Sequence, residues 1–257
     1  MLYLIGAGLK PEDLTLEELN TIKKCSKVYA EEYTSVYAEG SIKELQKIIG
    51  KRIILLERKD LEERSKKIIK EAKAKDLAII IIGNAFYATT HIQLMLEAKK
   101  MRVKFKAMPG ISLYSHLGGT GLSAYNFGRT VSIVFRSKNY SPESFYDAIK
   151  KNLSAGLHTL CLLDLKPKEK KFMKAKEGLK IIEEIEEKRD ERNVRDSIIV
   201  GLYGIGGRRE KMAAGNFDEI KNLDSNVFPQ SFIVCAKPSE KELEGLKEFC
   251  GLKMKGK

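Results

Sequence analysis

The sequence predicts an α/β protein with two α/β lobes, a parallel Rossmann-like sheet followed by a second, mixed sheet. Short apolar runs that favour strands alternate with amphipathic segments of about 10 to 16 residues, which is typical of right-handed β-α-β units. Three glycines fall within residues 118–121, and this density indicates a hinge. The chain has 257 residues, enough for two lobes with their own cores.

We place the N-terminal lobe at residues 1–113, the hinge at 114–126 and the C-terminal lobe at 127–257. In the first lobe, strands are predicted at 2–5, 28–30, 52–56, 78–82 and 103–107, and helices at 16–25, 41–49, 60–75 and from 92 onward. In the second lobe, strands are predicted at 129–135, 158–163, 197–203 and 231–236, and helices at 143–154, 170–189 and 239–249.

The first strand ends in Gly6-Ala7-Gly8, which is similar to the start of a dinucleotide-binding loop. The third glycine of that fingerprint is missing, and Pro11 stands where the helix should begin, so a standard Rossmann phosphate loop is disfavoured. Thr15 and Glu18 have the spacing of a capping box, so the first helix is expected to start late, at about Leu16.

The strongest indication of a site follows the strand at 78–82. This strand runs into Gly83, a short loop and a helix start at Thr89-Thr90-His91. In an open parallel sheet, ligands bind beyond the carboxyl ends of the strands, where glycine admits a close backbone and a helix N-terminus offers N–H groups. The loop 83–90 is therefore expected to form the floor of a ligand site. A tight turn capped by Thr89 or Thr90 is the alternative, and His91 has a site role or a structural one.

Along the predicted helix 170–189, Phe172, Ala175, Leu179, Ile182 and Ile185 recur at helical spacing, and this stripe is assigned to core packing.

Composition describes a soluble globular protein, with 43% hydrophobic and 32% charged residues. The sequence shows neither an apolar run of about 18 residues nor a basic signal-peptide start, so a cytoplasmic location is expected. Four cysteines without C-x-x-C pairing predict buried free thiols, with neither a metal cluster nor a disulfide framework.

The formal net charge is +12, which raises the possibility of nucleic-acid binding. Much of this charge is Lys interleaved with Glu, as in 168–188, and a mixed solvated face explains it better. Direct nucleic-acid binding is therefore not expected, while a basic patch that recruits an acidic partner stays open.

The motifs give hydrolytic catalysis little support. The sequence contains neither G-x-S-x-G nor H-E-x-x-H, and it has three histidines. The loop Gly204-Ile205-Gly206-Gly207-Arg208-Arg209 resembles a phosphate loop but lacks the Lys-Ser/Thr of a Walker motif. Glycine-rich strand-end loops with few acid/base groups, placed around a cleft between two lobes, suit a reaction that depends on positioning, such as methyl transfer.

Two segments carry a family resemblance. Leu4-Ile5-Gly6-Ala7-Gly8 with Pro11-Glu12-Asp13-Leu14-Thr15-Leu16 resembles the N-terminal signature of the tetrapyrrole methylase class of S-adenosylmethionine-dependent enzymes. Gly83-Asn84-Ala85-Phe86-Tyr87-Ala88-Thr89-Thr90-His91 is similar to the G-D-x-x-x-A-T-T-H segment of the diphthine synthase family. Further matching segments lie at 33–35, 127–128, 130–135, 142–145, 158–164 and 211–215. The sequence around 130–164 resembles the eukaryotic type of this family more than the archaeal type.

The resemblance implies a two-lobed methyltransferase, usually a homodimer, with S-adenosylmethionine folded in the cleft between the lobes. Its protein substrate would be translation elongation factor 2 carrying a 3-amino-3-carboxypropyl group on a histidine. The archaeal type trimethylates the amino nitrogen to give diphthine, and the eukaryotic type also esterifies the carboxylate.

The resemblance also implies cofactor-binding positions but no general base, so no catalytic residue is named, and no metal is expected. The cofactor-binding residues would be Leu9, Asn84, Tyr87, Ser112, Leu113, Leu163, Ile205 and Gln230.

Three positions depart from the family pattern. The family Asp is Asn84, which keeps an acceptor oxygen but loses the negative charge that could complement a cationic cofactor. The family His is Gln230, and Tyr203-Gly204 replaces an Ala-Arg pair. The alternatives left open are a tetrapyrrole or RNA methyltransferase of the same fold, and a catalytically weak or inactive basic relative that binds the translation machinery.

Overall fold

The first sheet consists of parallel strands near the predicted positions. The computed structural model describes residues 1–87 and 91–253. The five strands are β1 (Leu2–Gly6), β2 (Lys27–Glu31), β3 (Ile53–Leu56), β4 (Leu77–Ile81) and β5 (Phe105–Met108). They pair in the order β3-β2-β4-β1-β5, and every pairing is parallel. The central strand β4 is buried along its whole length, as its continuous apolar run predicts.

Five helices flank this sheet in the described chain. They are α1 (Leu16–Lys24), α2 (Ile42–Ile49), α3 (Arg58–Glu62), α4 (Ser65–Glu71) and α5 (Ile92–Lys100). The capping box at the start of α1 is confirmed, because the Thr15 hydroxyl accepts from the Glu18 N–H and the Glu18 carboxylate accepts from the Thr15 N–H at 2.7 Å.

The single helix predicted at 60–75 is wrong. The chain forms α3 and α4 instead, and α3 begins at Arg58 because Glu57 and Asp60 form a capping box. The Lys59 carbonyl then accepts both the Glu63 and the Arg64 N–H, each at 3.0 Å, so the i to i−4 ladder ends there. Neither glycine nor proline stands at this break, so the helical pattern concealed it.

The second sheet is mixed, as predicted. The strands in this part of the chain are β6 (Val131–Ile133), β7 (Thr159–Leu163), β8 (Leu165–Lys166), β9 (Lys171–Phe172), β10 (Ile199–Tyr203), β11 (Lys211–Gly215) and β12 (Gln230–Val234). The sheet has the order β11-β10-β12-β7-β6, with β6 and β7 parallel and the other pairs antiparallel. The prediction omitted β11, because its Met-Ala-Ala-Gly sequence lacks the β-branched residues typical of strands.

The helices that follow are α6 (Ser144–Ser154), α7 (Ala175–Arg189), α8 (Phe217–Asn222) and α9 (Glu240–Cys250). The predicted start of the second helix of the C-terminal lobe, at 170, is wrong, since α7 begins at Ala175 and Phe172 lies in β9. Ala175, Leu179, Ile182 and Ile185 are buried, so the rest of the predicted stripe is core.

The segment predicted as a hinge forms 3-10 turns at Leu113–Thr120 and Ala124–Asn126.

The chain divides into two units, each with its own core. Unit 1 comprises Met1–Leu113, Lys166–Lys170 and Gly206–Arg208, and unit 2 comprises Tyr114–Leu165, Lys171–Ile205 and the chain from Arg209 onward.

The four cysteines are buried free thiols, as predicted. In the part of the chain that the structure describes, none of the helices has the length and apolar character to cross a membrane.

In unit 2, α9 packs on the segment before β6 through two glycines. A Cβ on Gly245 would lie 2.7 Å from the Gly121 Cα, and a Cβ on Gly121 would lie 2.5 Å from the Gly245 backbone. Gly121 also has φ +87°, a backbone conformation that disfavours other residues. Backbone therefore packs directly on backbone at this point.

A buried carboxylate, Glu242, fastens the same helix. It accepts the backbone N–H groups of Ser239 and Ser123 at 2.9 and 3.0 Å, and the Asn126 amide at 2.9 Å. His158 Nε2 lies 3.2 Å from it, while His158 Nδ1 accepts the Ala236 N–H at 3.1 Å, so Nε2 carries the hydrogen. Burial alone would raise the pKa of Glu242, but these donors outweigh it and lower the pKa to about 2.

We expect Gly245→Ala to destabilise the protein. Alanine in a helix interior normally stabilises by about 1 kcal/mol over glycine. Here the new methyl meets the Gly121 backbone, and overpacking of this kind costs about 1–3 kcal/mol. Urea unfolding measures the difference, with Gly118→Ala as control because its Cβ meets nothing within 4 Å. Greater stability of Gly245→Ala than of the parent would contradict the close approach.

We expect Glu242 to stabilise the fold above about pH 4.5 and to lose this contribution as the pH falls toward 2. The sign follows because its folded-state pKa, about 2, lies below its ordinary value of 4.5. Urea midpoints of the parent and of Glu242→Gln should differ at pH 6, and the difference should shrink between pH 4.5 and 2. A difference that is constant over this range would contradict the low pKa.

Candidate functional site

The carboxyl edge of the parallel sheet in unit 1 brings together the loops after β1, β4 and β5. The N–H groups of Gly8 and Gly83 donate to each other's carbonyl oxygens, at 3.2 and 2.7 Å. The Ala85 N–H donates to the Pro109 carbonyl at 2.9 Å. These bonds join the three loops into one surface, because β1 lies between β4 and β5.

The backbones approach too closely here for side chains. A Cβ on Gly6 would lie 1.9 Å from the Pro109 carbonyl oxygen, and one on Gly110 would lie 2.3 Å from the Gly6 carbonyl oxygen. By contrast, a Cβ on Gly83 meets nothing within 4 Å, so the space above Gly83 is open among the described residues. We call this open space beside tightly joined backbones the cradle.

Asn84 lies in this cradle and uses both ends of its amide. Its Oδ1 accepts the Phe86 N–H at 2.9 Å, which orients the group, and its Nδ2 donates to the Gly110 carbonyl at 2.8 Å. The second bond links the loop after β4 to the loop after β5. An ionised aspartate has no hydrogen to donate to the Gly110 carbonyl. The family Asp could therefore form this bond only when protonated.

The other predicted residues of unit 1 surround the same edge. Leu9 is buried, and its N–H donates to Asp13 Oδ2 at 2.8 Å while its carbonyl accepts the Ala38 N–H at 2.9 Å. Ser112 is buried and Leu113 is half-buried in the segment after β5, whereas Tyr87 is 50% exposed. The structure therefore places these residues near three neighbouring strand ends. The predicted caps Thr89 and Thr90 lie outside the described residues.

The sequence interpretation missed a buried carboxylate at the end of β2. Glu31 is fully buried, accepts the Thr34 hydroxyl and lies with its Oε2 3.6 Å from His91 Nε2. Burial and the nearby Glu31 carboxylate raise the pKa of Tyr33. A charged residue directly after the strand predicted at 28–30 was the available signal. His91 is itself buried at the start of α5, which favours its structural role.

In unit 2, the three remaining predicted residues lie at one end of the mixed sheet. Leu163 ends β7, Gln230 begins the antiparallel neighbour β12, and Ile205 follows Tyr203, which pairs with Gln230. All three predicted residues are buried. Side chains separated by tens of residues in the chain are thus brought to one sheet edge.

The Gln230 side chain is fully engaged by the protein. Its Oε1 accepts the Ala175 N–H at 2.8 Å, and its Nε2 donates to the carbonyls of Ser225 and Val227 at 2.9 and 3.1 Å. The acceptor bond covers the first N–H of α7, which has no partner inside the helix. Gln230 therefore caps α7 and fixes the loop before β12.

The glycine-rich loop at 204–209 does not have the chemistry of a phosphate loop. Within unit 1, Gly206 packs on Leu9, because a Cβ on Gly206 would lie 2.7 Å from the Leu9 Cβ. Arg208 is paired with Glu39, with its Nε 3.1 Å from Oε1 and its N–H donating to Oε2 at 2.6 Å. The Arg208 side chain is thus already paired, although it is largely exposed.

The chemistry available at these edges is recognition and positioning. Among residues 1–87 and 91–253, no group of His, Cys, Asp and Glu side chains has the arrangement of a metal site. Burial raises the pKa of the Cys25 and Cys250 thiols to about 11, so neither is a ready nucleophile. Apart from the buried Glu31 and His91, the groups at these edges are backbone groups, amides and a buried serine hydroxyl, and these hold a ligand rather than exchange protons with it.

Comparison with known proteins gives concordant matches. The family model described as Tetrapyrrole (Corrin/Porphyrin) Methylases matches residues 1–221. A Methanocaldococcus jannaschii protein named diphthine synthase is 41% identical over 97% of this chain and 99% of its own length. A Saccharomyces cerevisiae protein named diphthine methyl ester synthase is 39% identical over 99% of this chain and 91% of its own. A crystal structure of a diphthine synthase superposes with a TM-score of 0.88 at 30% identity, covering 98% of this chain and 97% of that one.

We expect Asn84→Asp to destabilise unit 1 at neutral pH by about 1–2 kcal/mol, because the carboxylate loses the bond to the Gly110 carbonyl and faces its oxygen. Below about pH 4 a protonated Asp can donate again, so the deficit should shrink. Urea unfolding of the parent and the variant at pH 7 and pH 3.5 measures both effects. Equal stability at pH 7 would show that the amide bond contributes little.

Proposed function

Because this chain belongs to the tetrapyrrole methylase family, with near-full-length relatives named diphthine synthase and diphthine methyl ester synthase, we propose that it is the methyltransferase of diphthamide biosynthesis. It transfers methyl groups from S-adenosylmethionine to the 3-amino-3-carboxypropyl-histidine of translation elongation factor 2. The product is diphthine or its methyl ester. The observation that carries this proposal is the 41% identity that extends over 97% of the chain.

The geometry of unit 1 fits this reaction. S-adenosylmethionine supplies a methyl group that is already activated on a sulfonium centre. The protein then needs mainly to align donor and acceptor, and it needs little acid/base chemistry for the transfer itself. The loops after β1, β4 and β5 suit this task, since the hydrogen bonds among Gly8, Gly83, Ala85 and Pro109 give them one arrangement.

We assign cofactor contacts in unit 1 to Leu9, Asn84, Tyr87, Ser112 and Leu113. The open space above Gly83 and the Asn84 amide beside it support this assignment. The fully buried Glu31 lies at the end of the neighbouring strand β2, so a second polar side chain stands at the same sheet edge. We name no general base.

We assign the remaining cofactor contacts to Leu163, Ile205 and Gln230 in unit 2. Their common position at one sheet edge supports this assignment. Because the Gln230 side chain already holds Ala175, Ser225 and Val227, its contribution is to fix the backbone around the start of β12. Gln230 is therefore a positioning residue.

We also propose a protein partner, an oligomeric state and a cellular location for this chain. Elongation factor 2 is the protein substrate, the enzyme is a homodimer, and it acts in the cytoplasm. The basic net charge of +12 favours association with an acidic surface of a large partner. None of the contacts among the described residues favours the catalytically weak alternative.

We expect the parent protein to bind S-adenosylhomocysteine with a dissociation constant on the order of 1–100 µM in calorimetry. Tyr87→Ala should weaken this binding severalfold, because Tyr87 is half exposed beside the cradle. Tyr140→Ala, which removes a similarly exposed tyrosine in unit 2, is the matched control and should leave it unchanged. Failure of the parent to bind would overturn the cofactor assignment.

Methylation of the modified elongation factor 2 is then followed by mass spectrometry. Successive methyl additions are expected, and lability of the last one to alkali identifies an ester on the carboxylate. Cofactor binding without methylation of this acceptor would be consistent with a methyltransferase but would contradict elongation factor 2 as its substrate.

A further inference from the structure

An open cleft of about 750 Å³ lies entirely in unit 2 and is absent from the assignments above. Three segments line it: the last turn of α6 at 150–154, the loop 193–198, and residues 235–238 after β12. We call it the basic cleft. Its volume is in the range of small-molecule sites in proteins.

The basic cleft is at the opposite end of the mixed sheet from Leu163, Ile205 and Gln230. Along the paired strands β10 and β12, Ile199 lies opposite Val234 at the cleft end, and Tyr203 lies opposite Gln230 at the other end. Four residue steps along a strand separate these pairs by about 13 Å. The basic cleft is thus distinct from the proposed cofactor contacts.

One wall of the basic cleft is held by a fully buried carboxylate, Glu186 on α7. Glu186 accepts the N–H groups of Val194 and Arg195 at 2.7 and 3.2 Å, and the Tyr146 hydroxyl at 3.0 Å. Because a buried carboxylate without donors is very costly, these bonds hold the loop 193–198 in one conformation.

The neighbouring segment after β12 is held in the same way. The Cys235 N–H donates to the Ile198 carbonyl at 2.9 Å, and the Ala236 N–H donates to His158 Nδ1 at 3.1 Å. His158 is in turn bonded to the buried Glu242. Both walls are therefore preformed, which reduces the entropy that a ligand must overcome on binding.

The charges that line the basic cleft do not cancel. Lys150 is paired with Glu191 at 2.6 Å, and Asp196 is paired with Arg192 at 3.3 Å. Within residues 1–87 and 91–253, neither Lys151 nor Lys237 has an ion pair or a side-chain hydrogen bond. Two unneutralised ammonium groups thus border one preformed cleft.

Most carbonyls at the end of α6 are already engaged in hydrogen bonds. The Lys151 carbonyl accepts the Ala155 N–H at 3.2 Å, the Asn152 carbonyl accepts the Leu157 N–H at 2.9 Å, and the Leu153 carbonyl accepts the Gly156 N–H at 3.0 Å. These bonds cover three of the four carbonyls that a helix C-terminus leaves without intrahelical partners.

We propose that the basic cleft binds a phosphate monoester, with Lys151 and Lys237 as its cationic contacts. A phosphate monoester carries a charge of about −1.5 to −2 at neutral pH, which matches two ammonium groups. Two ammonium groups at one place suit a single terminal phosphate better than a continuous polyanion, which needs cations along its whole length. The proposal does not depend on the methyltransferase assignment, because the two sites share no residue.

Calorimetric titration of the full chain with glycerol 2-phosphate at low ionic strength and pH 8 tests the proposal. Lys151→Gln and Lys237→Gln should each raise the dissociation constant about fivefold or more. Lys180→Gln, an exposed lysine on α7 without an ion pair in the described chain, is the matched control and should leave it unchanged. Binding should weaken at pH 5, where the ester loses its second charge. Affinity for S-adenosylhomocysteine should be the same in all four proteins.

Four results would overturn the proposal. The first is no binding of glycerol 2-phosphate by the parent, and the second is an equal loss in Lys180→Gln, which would indicate a diffuse positive field. The third is malonate binding as tightly as the phosphate ester, which would indicate a dicarboxylate site. The fourth is a thymidine oligonucleotide without a terminal phosphate binding as tightly, which would indicate a nucleic-acid backbone.

Discussion

The candidate site depends on the close approach of three backbones at the carboxyl edge of the parallel sheet. A Cβ on Gly6 would lie 1.9 Å from the Pro109 carbonyl oxygen. The loops after β1 and β5 can therefore meet only because Gly6 has no side chain. The mutual bonds of Gly8 and Gly83 add the loop after β4. The surface is therefore rigid before any ligand arrives, and alignment is what a transfer from an activated donor requires.

Unit 2 obtains the same rigidity by a different means, since its loops are held by buried polar side chains. Gln230 caps α7 at the end of the sheet that carries Leu163, while Glu186 and Glu242 hold loops at the opposite end. A buried carboxylate or amide is stable only when donors and acceptors surround it, so each one selects a single loop conformation. Both ends of the mixed sheet are preformed surfaces for this reason.

Asn84 and Gln230 show what residue identity alone conceals. In the sequence each is a hydrogen-bonding replacement for a family residue, and the loss of charge at Asn84 is the visible change. In the structure Asn84 donates to the Gly110 carbonyl, which an ionised Asp cannot do. Both ends of the Gln230 amide form hydrogen bonds within the protein, to Ala175, Ser225 and Val227. The partners lie as many as 55 residues away, so local sequence could not reveal them.

The sequence by itself determined the α/β class, the parallel and mixed sheets, the capping box of α1 and the buried state of the cysteines, because periodicity and capping are local properties of the chain. Only the tertiary structure decided the break between α3 and α4, the late start of α7, the strand β11 and the burial of Glu31. The last three depend on hydrogen bonds and contacts with distant segments, which overrule local preference, whereas the helix break rests on short-range bonds at 57–64 that the helical pattern does not reveal. The basic cleft belongs to the same group, because three separate segments form it and the neutralisation of its charges depends on partners elsewhere in the fold.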